Sequence, residues 1–75
     1  MIILSLTNMY LKKPVEYRHA NIESAIAMLE DMCPLGGETR RSFLDTNTVQ
    51  IIDNGRIIFS GYAKQAIEFN KTIDG

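Results

Sequence analysis

Cysteine is almost missing from this chain, and histidine and proline are nearly as scarce. With Cys33 alone, no internal disulfide can close, which points to a reduced, intracellular setting. One Cys and one His cannot furnish the four ligands of a structural zinc site, so no metal is expected. Net charge is also small: eight Lys and Arg against nine Asp and Glu leave −1, too little to draw nucleic acid from a distance. No apolar run approaches the roughly 20 residues that cross a bilayer. The opening Met-Ile-Ile-Leu-Ser-Leu-Thr-Asn has no basic leader, so a cytoplasmic product away from membranes is expected.

Arrangements that carry chemistry are equally sparse. His19 stands just before a helical segment and Cys33 at its end, about 20 Å apart along a helix rising 1.5 Å per residue, so they cannot form a dyad within one chain. Glu30 and Asp31 are sequence neighbours and diverge on a helix, a poor geometry for sharing a proton or a metal. Asp45-Thr46-Asn47 opens like a calcium loop, but the ligand and glycine that should follow are Val49 and Gln50. No catalytic group and no cofactor are expected.

What the chain does contain is enough apolar residue to fold. Its 75 residues are 45% hydrophobic and 23% charged, the balance of a single small globular domain spanning residues 1–75. A chain of this size buries only about 60% of its unfolded surface. Without disulfides or metal, extra stability has to come from a tight core or from self-association.

Along the chain, Ile2–Leu6 is nearly continuous in aliphatic residues and suits a strand inside a sheet. Residues 7–19 lose the pattern and contain Pro14, so the extended run is expected to end by about Leu11 and pass into a loop carrying Lys12, Lys13, Tyr17, Arg18 and His19. Asn21 is a good N-cap, and Ile22, Ala25, Ile26, Leu29 and Met32 recur at helical spacing. Pro34 and Gly36-Gly37 end that helix near Met32 or Cys33. Glu30 and Asp31 lie where the helix dipole prefers cations, which invites Arg40 or Arg41 to approach. Phe43 and Leu44 need burial, and a short strand over residues 39–44 would supply it.

The strongest local signal is Asn54-Gly55 between Thr48–Asp53 and Arg56–Ser60, a two-residue hairpin loop whose residues both need φ > 0. Gly61 is expected to break the second strand, and Tyr62–Lys71 to form a closing helix with one stripe of Tyr62, Ala66, Phe69 and Ile73. The fold class is therefore α+β: a small antiparallel sheet of three to four strands with two helices, in the order β-α-(β)-β-β-α. A regular hairpin pairs Ile52 with Ile57, Ile51 with Ile58, Gln50 with Phe59 and Val49 with Ser60. Val49, Ile51 and Ile58 then share one face, with Ile52, Ile57 and Phe59 on the other. Both faces would be apolar, and the second needs a cover: a helix, a second copy of the chain, or a partner.

These features favour a non-enzymatic interaction module, a small inhibitor or adaptor that binds another protein as a homodimer. Its anchors would come from Ile52, Ile57, Phe59, Tyr62 and Phe69, with Arg56 adding a directional contact. The alternative is a small anion or nucleotide binder using Gly36, Gly37, Thr39, Arg40 and Arg41, whose glycines expose N–H groups ahead of two guanidinium groups. That segment has neither P-loop nor dinucleotide spacing. A second alternative is weak nucleic-acid binding through the basic residues of 12–19 and Arg40 and Arg41.

Overall fold

The computed structural model describes residues 1–74, with side chains as far as Thr72. Its elements are β1 (Ile2–Thr7), β2 (Val15–His19), α1 (Ile22–Met32), α2 (Gly37–Thr46), β3 (Thr48–Asp53), β4 (Arg56–Tyr62) and α3 (Ala63–Asp74). The strands form one antiparallel sheet in the order β2-β1-β3-β4, so the fold is α+β and β1 is an interior strand, as its apolar run implies.

Two segments take a different form from the one expected. Residues 15–19 are a strand and not a loop: Val15, Tyr17 and His19 alternate with Glu16 and Arg18, the period-two pattern of a half-buried strand. Pro14 immediately precedes that strand, where its missing donor breaks no ladder bond. Residues 39–44 lie in a helix and not a strand. Glu38, Arg40, Arg41 and Leu44 are good helix formers, and Phe43 and Leu44 pack their half-buried side chains on the core from it. The order is therefore β-β-α-α-β-β-α, with three helices where two were expected.

α1 forms as its sequence dictates. Asn21 has extended backbone, and its side-chain oxygen accepts from the Ser24 N–H at 2.8 Å. Cys33, extended before Pro34, closes the helix by donating its N–H to the Glu30 carbonyl.

The hairpin turns at Asn54 (φ 49°) and Gly55 (φ 85°), both left-handed as a type I′ loop requires. Asp53 pairs with Arg56 and Ile52 with Ile57, as a regular register has it; beyond them Ile51 faces Phe59, Gln50 faces Ser60 and Val49 faces Gly61. Ile58 is the extra residue of a β-bulge. The expected pairs of Ile58, Phe59 and Ser60 are each displaced by one, and the displacement turns Phe59 to the opposite face. There its ring centroid lies 5.1 Å from that of Phe69, so burial of an aromatic pair offsets the disturbed ladder.

Gly61 does not break the strand either; β4 continues to Tyr62, which therefore ends a strand and does not open the helix. What Gly61 supplies is room, since a Cβ at this position would sit 2.6 Å from Gln65 Oε1 and 3.0 Å from Phe59 Cζ. That Gln65 oxygen accepts from the Tyr62 N–H at 2.9 Å and ties down the entry to α3.

The core lies between one face of the sheet and the helices. Leu4, Val49 and Ile51 are fully buried against Ile26 and Leu29 of α1 and Ala63 and Ala66 of α3. Phe43 and Leu44 add α2 to the same cluster, so all three helices occupy a single face. Asn47, itself buried, ties the layers together: it donates to the Phe43 carbonyl from side chain (2.9 Å) and backbone (3.3 Å), and accepts from Asn8 Nδ2 (2.8 Å). Its own carbonyl accepts from the Ala63 N–H.

Candidate functional site

With the helices on one side, the other face of the sheet has none of these elements over it. Cross-strand register fixes its composition. Arg18, Ile3, Ile52 and Ile57 lie opposite one another across all four strands, and Glu16, Ser5, Gln50 and Ser60 form the next row. Thr7, Thr48 and Tyr62 form the last. The face thus carries an apolar row at one end, a polar middle and an exposed tyrosine at the other end. A hollow of about 160 Å³ bordered by Ser5, Pro14, Gln50 and Ser60 marks the polar middle. Ile57, 55% exposed, is the most accessible isoleucine of the apolar row; Ile3 and Ile52 are partly buried.

The anchors expected from the sequence are divided by this geometry. Ile52 and Ile57 share the open face and touch through their register, and Tyr62 lies on it two rows away. Phe59 and Phe69 belong to the helix-covered side, packed on each other and on the core, because of the bulge. Arg56 sits beside the hairpin turn, opposite Asp53. The side chain of Ile73 lies outside the described residues. Ile3 completes the row and is not among the expected anchors; its cross-strand partner Ile52 becomes visible only once β1 is known to lie beside β3.

The glycine-arginine segment builds a different feature. Gly37, Arg40, Arg41, Leu44 and Asp45 of α2, with Lys64 of α3, line an open groove of about 370 Å³. Gly36 and Thr39 are not among its walls. Arg40 reaches the C-terminal end of α1, where its guanidinium donates to Cys33 Sγ and to the Pro34 carbonyl, each at 3.3 Å. This is the cation that the helix end called for, bonded to a sulfur and a backbone carbonyl and not to Glu30 or Asp31.

His19 rests against α1, with Nδ1 3.1 Å from Ser24 Oγ and Nε2 3.3 Å from Met28 Sδ. The buried Cys33 closes the far end of the same helix. The basic residues are likewise apart. Lys12, Lys13 and Arg18 flank or occupy β2, whereas Arg40 and Arg41 ride on α2, which packs beside β4 at the other edge of the sheet. Among the described residues, no group of three or more His, Cys, Asp or Glu side chains is placed to hold a metal ion, and no helix is long and apolar enough to cross a membrane.

No protein-family model, curated protein or solved structure matches this chain.

Proposed function

We propose that this chain is a non-enzymatic, cytoplasmic interaction module, a small inhibitor or adaptor that works as a homodimer and holds another protein against the open face of its sheet. The observation that carries the reading is the placement of all three helices on one face while Ile3, Ile52 and Ile57 form a row on the other. An antiparallel sheet that has only water on one side normally presents polar residues there. Here an apolar row lies at one end of the open face and borders the polar row of Ser5, Gln50 and Ser60, and partly exposed apolar residues gathered in this way suit a docking surface. The partner is a protein that lays apolar side chains across the isoleucines. Phe59 and Phe69 support the sheet from behind.

The test uses an exposed position, so that folding is not at stake. Wild-type protein and an Ile57→Asp variant are immobilised and exposed to native lysate; proteins retained only by the wild type are purified and titrated against both. A specific partner should lose at least about tenfold in affinity for the variant, the effect of truncating an interface anchor. If no purified protein distinguishes the two, the open face is not the docking surface.

The groove beside Arg41 and Lys64 favours a second reading, binding of a small phosphate-bearing anion, since two guanidinium groups and an ammonium face one carboxylate there. Arg40 is a poor probe because it also fastens the turn after α1. Arg41→Ala with Lys64→Ala leaves that fastening intact. Under this reading, a thermal upshift with inorganic phosphate or nucleotide should vanish in the double variant, and no upshift in the wild type would remove the reading.

A further inference from the structure

The two edges of the sheet are built differently. β4 carries the bulge at Ile58, which interrupts its regular geometry. Bulged edges resist pairing with another strand. β2, at the other edge, pairs residue for residue with β1 from Val15 to His19 with no register shift. Among the described residues no strand pairs with its outer side. A regular strand with one free side presents a row of backbone donors and acceptors to any chain that can match it.

The side chains of β2 specify which chain that is. Its open-face residues are Glu16 and Arg18, opposite in sign and two positions apart, with Tyr17 between them on the other face. When a strand with this pattern meets a copy of itself antiparallel about a two-fold axis at Tyr17, Glu16 of each copy lies opposite Arg18 of the other. Tyr17 then meets its own symmetry mate, and Val15 meets His19. Cross-strand pairs of opposite charge stabilise such a register, and like charges directly opposite destabilise it. Shifting the register by two residues in either direction would set Glu16 against Glu16 or Arg18 against Arg18. Pro14, which has no N–H to donate, closes the paired segment at Val15. The charges on this edge are complementary to those of a second copy in that one register.

We infer that two copies of this chain join β2 to β2 about a two-fold axis at Tyr17, merging their two four-stranded sheets into one continuous antiparallel sheet. The axis runs perpendicular to the sheet, so both helical layers lie on one side and both open faces on the other, giving a partner protein two isoleucine rows on a single surface. The inference rests on the homodimer reading and supplies its contact; it does not depend on the isoleucine row being the docking site.

Sedimentation equilibrium over roughly micromolar to millimolar concentrations tests it, with Glu16→Arg and Arg18→Glu, both at exposed positions. The wild type should show a reversible monomer–dimer equilibrium. Each variant should dissociate about tenfold more readily, because both symmetric charge pairs become repulsive. An equimolar mixture of the two variants should form a heterodimer at least as tight as the wild-type dimer. In that mixed pair one copy is basic at both open-face positions of β2 and the other acidic at both, so every cross-strand pair is again attractive. Ile57→Asp should leave the equilibrium unchanged. A wild type that stays monomeric throughout, or a dimer indifferent to both charge reversals, would overturn the inference, as would a dimer dissociated by Ile57→Asp alone. A dimer behaving as described, with no protein found that depends on Ile57, would leave the β2 contact standing and remove only the docking reading.

Discussion

Ile51 and Ile52 are neighbours in one strand and chemically the same, yet they live in different surroundings. Ile51 is fully buried beneath the helices; Ile52 is only partly covered, in a row with Ile3 and Ile57 on the face the helices leave open. A strand sends successive side chains to opposite faces, so the difference arises from which face the helices chose and not from the residues themselves. An apolar side chain on this sheet therefore supports the fold on one side and is available for recognition on the other.

The sharpest way to break the contrast is to truncate both neighbours. Ile51→Ala should cost about 3 kcal/mol by leaving a cavity in the core, a large share of the stability of so small a chain. Ile52→Ala should cost about 1 kcal/mol or less, and urea unfolding of both measures the gap. Equal losses would mean that the open face is covered.

Gly55→Val attacks the turn from which the two faces are counted. A β-branched residue at φ 85° is strained, and a loss of roughly 2 kcal/mol is expected in the same unfolding experiment. A mild effect would mean that the hairpin tolerates another turn. Asn47→Ala probes the joint between the helical layer and the sheet: it removes the side-chain bonds to Phe43 and Asn8 from a buried site. It should cost about 1.5 kcal/mol and lower the thermal midpoint accordingly. Ile57→Asp, on the open face, should cost about 1 kcal/mol or less while abolishing docking of a partner.

How much of this is legible in the sequence follows from how local each signal is. Asn54-Gly55 specifies the hairpin through two backbone conformations, and Asn21 specifies the start of α1 through one side-chain hydrogen bond, so both can be read directly. β2 is harder to see, although Val15, Tyr17 and His19 alternate with charged residues, because five residues after a proline look like a loop until β1 is there to pair with them. α2 reads as a strand because Phe43 and Leu44 are adjacent apolar residues, and adjacency suits either periodicity. The bulge depends on where Phe69 waits, further along the chain and on another element, which no hairpin rule contains. That one displaced residue splits the expected anchors, moving Phe59 inward and leaving Ile52 and Ile57 to meet Ile3 outside.

The most direct test of the two-faced sheet is the paired stability of Phe59→Ala and Ile57→Ala in urea unfolding. With the bulge in place, loss of the Phe59 ring should cost about 2–3 kcal/mol, and loss of the Ile57 side chain under about 1 kcal/mol. An Ile57→Ala cost equal to or greater than that of Phe59→Ala would show Phe59 outside and contradict the account.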